Sequence, residues 1–206
     1  MRKKLTLLFF MISMISMITS AQSDSKGFFD LSGPKKIWVL FHPFKAKKSY
    51  RISQEANRVS DSIAKTNVLD GDGSGGQVDA FRHAYWMARL RQEIGKTAAR
   101  SLGKAHEREN YQTFKKNQLE DGIVPDEISS IMDLHNNEEG LKLIVKRSEL
   151  SQKSLIYMVV NAIKEGNMKI IKKNKNGDYL TCEGEIISPK SLKGKWQNNK
   201  CLIASN

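Results

Sequence analysis

The apolar residues of the chain recur at helical spacing in five segments after residue 48. In 49–66 they lie one turn apart, with polar residues between them: Ile52, Ala56, Val59 and Ile63. Similar stripes predict helices over 78–94, about 97–116, 125–137 and about 149–164. Gly95 and Gly166 follow two of these segments, as is typical of residues just beyond a helix end.

Two further segments have different patterns. The run 35–44 (KKIWVLFHPF) is the most apolar part of the chain after the N-terminus, and Pro43 limits any helix in it to about His42. It is too short to span a bilayer, so we expect it to pack against the core. In 168–182, two short runs flank Asn176-Gly177, a dipeptide typical of hairpin turns. The sequence therefore predicts a mainly α protein, an orthogonal bundle of about five helices with a small C-terminal β-hairpin appendage.

The N-terminus has the pattern of a signal peptide. Arg2, Lys3 and Lys4 precede an apolar run to about Ile18, and small residues follow up to Ala21. A transmembrane helix needs about 20 apolar residues, so an uncleaved anchor is the weaker alternative. We expect an exported protein, periplasmic or extracellular, with no transmembrane span in the mature chain. Its parts are a signal peptide (1–21), a lead-in with the apolar segment (22–48), a helical domain (49–166) and a β-hairpin tail (167–206).

Two cysteines lie near the C-terminus, Cys182 and Cys201. In an oxidising compartment such a pair predicts a disulfide that closes a short loop. A zinc site would need two further ligands nearby, and no histidine follows His135.

The net charge of the chain indicates which classes of binding partner are favoured. The formal net charge is +12, and it is still +9 without the three basic residues of the signal peptide. Such a charge favours an anionic polymer or lipid as partner, and it equally fits a basic secreted protein kept soluble by its charge. No run of five Lys or Arg residues occurs, which argues against a nucleic-acid-binding tail. The phosphate-binding pattern G-x-x-x-x-G-K-[ST] and a nucleophile elbow are absent as well.

Three polar clusters interrupt the predicted helices. Asp79 lies four residues before His83, on the face of 78–94 that should point to the core. A buried carboxylate needs a partner, a metal or water, since burying a lone charge costs several kcal/mol. The segment 103–110 adds His106 and Glu107, and 132–137 adds Asp133, Asn136 and Asn137.

Each cluster also has an ordinary interpretation. Asp79 would cap its helix while His83 makes one buried hydrogen bond, His106-Glu107 would be a surface pair, and the last cluster would be a solvated face. Together, however, three helices supply Asp, His or Glu side chains that can converge, and helical bundles build metal and catalytic sites in this way.

The blocks DAFRHAYW (79–86), AHE (105–107) and MDLHNN (132–137) resemble an uncharacterised bacterial domain family. That family is found in exported proteins and in the C-terminal regions of large toxin-like proteins. The resemblance covers about 75–140 and leaves the preceding helix and the tail unassigned. Because the family has no settled activity, the resemblance implies a site and an exported, toxin-associated setting, but no reaction.

The first hypothesis is a metal-assisted hydrolase that acts on an anionic lipid, wall polymer or nucleic acid. A mixed nitrogen and oxygen ligand set for zinc or another divalent ion is available: Asp79, His83, His106 and Asp133. Glu107 would be the general base, with His83 also catalytic. The side chains supporting this site would be Arg82, Asn136 and Asn137. The paired histidines of an H-E-x-x-H motif are absent.

A second hypothesis is a calcium-dependent enzyme similar to secreted phospholipase A2. The loop DGDGSGG (70–76) would hold calcium, with His83 as base and Asp133 orienting it. The chain departs from that family in having Ala84 after the histidine and in having two cysteines. The loop also begins like an EF-hand, but Phe81 occupies position twelve, so a flexible linker is its simplest interpretation.

A third hypothesis involves no catalysis. Asp79, His83, Glu107 and Asp133 would form a buried network that fixes the packing of three helices in a secreted binding or structural protein. Arg82 would anchor this network by pairing with Asp133. An open cleft at the cluster favours the enzyme, and a sealed core favours the network.

Overall fold

The computed structural model describes residues 27–119, 123–144, 148 and 150–206. The predicted signal peptide lies outside these residues. The helices are α1 (Gly33–Phe41), α2 (Pro43–Ala64), α3 (Gln77–Ile94), α4 (Lys96–Lys115), α5 (Glu127–Leu143), α6 (Gln152–Lys164) and the short α7 (Pro189–Leu192). The strands are β1 (Lys169–Ile171) and β2 (Leu202–Ala204). The prediction of a mainly α protein with a small C-terminal β element is confirmed.

α3 is the central helix of the fold. Its residues are buried along almost the whole length, and it contacts α2, α4, α5 and α6. The approach of α5 depends on Gly140, because a Cβ atom there would lie 2.2 Å from the carbonyl oxygen of Ala84. The two helix backbones therefore touch, and the polar residues of α5 that precede Gly140 come close to the start of α3.

Only part of the apolar segment 35–44 lies in the core. Trp38 is buried, and its Nε1 donates to the carbonyl of Ala98 (3.1 Å) and to Ser101 Oγ (2.9 Å), which attaches α1 to α4. The neighbouring Phe41 is 79% exposed and Phe44 is fully exposed. As predicted, α1 ends before Pro43, which begins α2. The segment thus contacts the core through Trp38, whereas Phe41 and Phe44 lie outside it.

The C-terminal sheet joins distant parts of the chain. β1 pairs antiparallel with β2, with Ile170 opposite Ile203. The predicted hairpin forms only a turn at Gly177, with a single bridge between Lys173 and Tyr179. β1 pairs with β2, which is distant in sequence, and not with the residues that follow the turn at Gly177. The disulfide favours this pairing because it holds the residue before β2 near the end of the turn segment.

The predicted disulfide between Cys182 and Cys201 is present, with Cα atoms 4.9 Å apart. Next to it, the amide of Lys172 donates to the carbonyl of Cys201 at 2.8 Å. This hydrogen bond continues the pairing of β1 and β2, and the disulfide links the residue before β2 to Cys182. In the described part of the chain, no helix has the length and apolarity needed to cross a membrane.

Candidate functional site

The loop before α3 is an ordered turn, not the flexible linker expected from its composition. Asp70 Oδ1 accepts from the amide of Asp72 (2.9 Å), and Asp72 Oδ1 accepts from the amide of Ser74 (3.0 Å). Asp79 Oδ2 accepts from the amide of Gly75 at 2.7 Å, which ties the loop to the first turn of α3. This hydrogen bond fixes the orientation of the Asp79 carboxylate.

A lysine from the C-terminal part of the chain lies against this loop. Lys173 Nζ donates to Asp72 Oδ2 at 2.5 Å and to the carbonyl of Ser74 at 2.6 Å. In addition, Ile171 donates its amide to the carbonyl of Gly75 at 2.7 Å. The oxygens expected to bind calcium in the second hypothesis thus meet an ammonium group of the same chain.

Three predicted site residues converge where α3 meets α5. His83 Nε2 lies 3.6 Å from Asp79 Oδ1 and 3.4 Å from Asp133 Oδ1. One ligand atom from each residue lies within 4.8 Å of the other two, a spacing that a single metal ion can bridge. All three residues are buried. The sequence-based prediction that these side chains meet is thereby supported by their geometry.

The tautomer of His83 follows from its other nitrogen. Nδ1 lies 3.3 Å from Asn137 Oδ1, so Nδ1 carries the hydrogen and donates it. Burial, aided by the nearby Arg82 and His106, holds the pKa of His83 well below its usual range, although the hydrogen bond with Asn137 acts in the opposite direction. A neutral His83 then presents its Nε2 lone pair to two carboxylate oxygens, an arrangement that a cation stabilises.

The remaining predicted residues lie around this group. Arg82 donates to Asp79 Oδ1 at 2.7 Å, so the contact seen for its guanidinium is with Asp79. The ring of His106 lies 6.1 Å from that of His83, centre to centre, and its Nδ1 is 3.4 Å from Glu109 Oε2. His106 therefore stands beside the three-residue group, and its nearest carboxylate lies one turn along its own helix.

Glu107 and Asn136 each accept a hydrogen bond from another residue. Glu107 is buried in α4, and its Oε2 accepts from Asn110 Nδ2 at 3.3 Å. Asn136 points to β1: its Nδ2 donates to the carbonyl of Lys169 and its Oδ1 accepts from the same residue's amide. Asn137, one residue later, faces His83 instead. Asn136 therefore positions the strand, and Asn137 positions the imidazole.

A cleft of about 940 Å³ opens beside the three-residue group. Its inner wall includes Arg82, His83 and His106, and its outer wall is formed by α1 and α2. Lys35 and Lys47 also line it, with Asp30 as the acidic residue among the lining side chains. The three-residue group is thus accessible from this basic cleft through His83. Sequence reasoning missed this outer wall, because nothing in the spacing of α1 shows that it leaves a gap above α3.

The comparisons with known proteins extend the earlier resemblance. No curated protein and no solved structure matches the chain significantly. A family model described as a domain of unknown function, DUF6973, matches residues 36–167, which include most of α1, all of α2 to α6, and Asp79, His83 and Asp133. The chain therefore belongs to the DUF6973 family.

Proposed function

We propose that the protein is an exported, metal-dependent hydrolase in which Asp79, His83 and Asp133 bind one divalent cation. The observation that supports this most is the direction of three electron-pair donors toward one point, with Nδ1 of His83 already used by Asn137. A histidine whose second nitrogen is held by a hydrogen bond is the usual form of a metal ligand. A mixed nitrogen and oxygen set suits zinc and other divalent ions.

The chemistry follows from the ligand count. Three protein ligands leave a position for water, and a bound divalent ion lowers the pKa of that water to make a nucleophile near neutral pH. Arg82, through its bond to Asp79 Oδ1, orients that carboxylate. Glu107, a buried carboxylate on the adjacent α4, is the proposed general base, and His106 lies at the cleft wall where it would contact the substrate.

The cleft suggests an anionic substrate. Lys35, Lys47 and Arg82 among its lining residues would attract a phosphate or carboxylate group, as found in lipids, wall polymers and nucleic acids. The disulfide agrees with an oxidising, exported location.

The test is the metal affinity of the mature chain (22–206), measured by calorimetry and elemental analysis with zinc, manganese and calcium. Wild type should bind about one equivalent, and Asp133→Asn should weaken binding about tenfold or more because it removes one charged ligand. Asp61→Asn, at an exposed position of α2, is the matched control and should bind like wild type. Hydrolysis of a chromogenic phosphodiester and ester would then be compared in the same variants.

The second candidate is a non-catalytic helical protein in which the same residues form a buried network. The bond between Arg82 and Asp79, which pairs one carboxylate internally, favours it. Under this alternative no ion binds tighter than the millimolar range, and Asp133→Asn changes stability alone. The calcium-dependent phospholipase-like alternative would show calcium affinity that depends on Asp70 and Asp72, although Lys173 already contacts that loop.

A further inference from the structure

An unusual apolar surface lies at the junction of α1 and α2. We call it the apolar ridge; its members are Ile37 (58% exposed), Leu40 (68%), Phe41 (79%) and Phe44 (100%). The first three lie about one turn apart on a solvent-exposed side of α1, whereas Trp38 of the same helix is buried. Large contiguous apolar surfaces are uncommon on soluble domains and mark interaction sites.

The ridge is held rigidly. Trp38, within the same helix, is anchored to α4 by two hydrogen bonds from its Nε1, and its ring stacks on His42 at the junction, 4.6 Å between centres. The exposed side chains therefore do not fold back onto the core, and the energetic cost of exposing them is present in the free protein.

The surroundings of the ridge are basic. Between Asp30 and Glu55 the sequence has no acidic residue, and it has six basic ones: Lys35, Lys36, Lys45, Lys47, Lys48 and Arg51. Two of them pair with carboxylates of other helices, Lys35 with Glu109 and Lys48 with Glu93. The other four still give this segment a net positive charge. Apolar side chains at a tip with lysines around them are the pattern of surfaces that insert shallowly into an anionic bilayer. In surfaces of this kind the aliphatic part of a lysine covers apolar surface while its ammonium group reaches the lipid phosphates.

We propose that the apolar ridge docks on an anionic membrane surface, with Phe41 and Phe44 entering the headgroup region. A second copy of the chain fits this surface poorly, since pairing two ridges would bring together two positively charged segments, each with four basic residues beyond the two that pair with Glu93 and Glu109. The opposite face of the same two helices forms the outer wall of the cleft through Val39, Pro43 and Tyr50, so docking places the cleft next to the lipid. The proposal concerns binding and does not depend on the metal site.

The experiment measures partitioning of the chain 22–206 onto phosphatidylcholine vesicles with and without 50 mol% phosphatidylglycerol. We expect binding to the anionic vesicles, and Phe41→Ser/Phe44→Ser should lower the partition coefficient at least tenfold. The matched control is Tyr157→Ser/Ile186→Ser, which removes two side chains that are 70% and 63% exposed on other elements. Lys36→Glu/Lys45→Glu should weaken binding to the anionic vesicles while leaving the melting temperature near that of wild type.

Insertion is read out separately. Phe44→Trp should shift its fluorescence to the blue on binding and be quenched by brominated lipid. Absence of vesicle binding, or binding equal in the ridge and control variants, overturns the proposal. A dimer in sedimentation that Phe41→Ser/Phe44→Ser dissolves, without vesicle binding, assigns the ridge to a second copy and also overturns it. Asp133→Asn must still bind vesicles, which separates this outcome from a failure of the hydrolase proposal.

Discussion

The position of a residue around its helix axis decides whether its side chain belongs to the candidate site. Asp79 and His83 were predicted to share a face because four residues complete about one turn, and they do. Asn136 and Asn137 were predicted together, but adjacent residues point about 100° apart, so one reaches β1 and the other His83. That Asp79 and His83 share a helix face was therefore predictable, whereas the element that each helix face contacts was not.

The carboxylate of Glu109 gives a pH-dependent prediction. Burial raises its pKa, but contacts with His106 and Lys35 outweigh this and lower the pKa to about 2 from its ordinary value of 4.5. The resulting stability is present above pH 4.5 and is lost as the pH falls toward 2. Because the group is partly screened by solvent, we expect about 1–2 kcal/mol.

Urea unfolding of wild type and Glu109→Gln at several pH values between 4.5 and 2 tests this expectation. The variant should lose less stability than wild type over that range. Glu185→Gln, at an exposed position, should follow the wild-type curve. Parallel curves for wild type and Glu109→Gln would show that the contacts with Lys35 and His106 contribute nothing to folding.

At the scale of elements, the bounds of α3, α4 and α6 were predictable to within three residues because each helix has a repeating apolar stripe and clear end signals. α1 was not predicted as a helix, and α2 begins at Pro43, six residues before the predicted start. α3 was predicted as 78–94 and is Gln77–Ile94. The pairing of β1 was not predictable, since the strands have three residues each and the partner lies more than 30 residues away. The exposure of Phe41 and Phe44 was also missed, because apolar composition alone does not show whether a neighbouring helix covers a face.

Because α3 and α5 are in contact at Gly140, adding one methyl group at this position should strongly affect stability. Gly140→Ala would place Cβ 2.2 Å from the carbonyl oxygen of Ala84, which is backbone and cannot rotate away. The helices must separate, and we expect a loss of about 1–3 kcal/mol in the free energy of unfolding, as for other overpacked contacts. Metal affinity should fall as well, since Asp133 lies on the displaced helix.

Gly33→Ala is the control for this prediction, because a Cβ atom at that helical position meets no atom within 4 Å. Chemical unfolding and metal titration of both variants provide the measurement. If Gly140→Ala has the stability of wild type, α5 can shift without cost, and the close approach does not position the site.

On the scale of the whole molecule, the C-terminal tail closes onto the helical domain. Ser205 accepts from Gln77 Nε2 through its carbonyl (2.7 Å) and from the amide of Met168 through its hydroxyl (3.2 Å). Trp196 packs on Tyr111 and Phe114 at the end of α4. The tail is thus part of the support of the loop before α3, although the family match ends at residue 167.

Removing the disulfide should loosen this support. Cys182→Ser/Cys201→Ser opens a loop with a sequence separation of 19, for which chain entropy predicts a loss of about 3 kcal/mol. We expect a lower melting temperature and faster amide exchange at Ile171, whose hydrogen bond holds Gly75. Unchanged exchange at Ile171 would mean that the strand is held by α5 alone.

The contact of Lys173 with the loop at Asp72 has a consequence for the order in which the protein matures. Synthesis proceeds from the N-terminus, so Asp72 leaves the ribosome 101 residues before the lysine that contacts it, and Gln77 leaves it 128 residues before Ser205. The contacts that hold the loop beside Asp79 are therefore complete only after Ser205 has been translated. A chain truncated before Lys173 lacks these contacts of the loop.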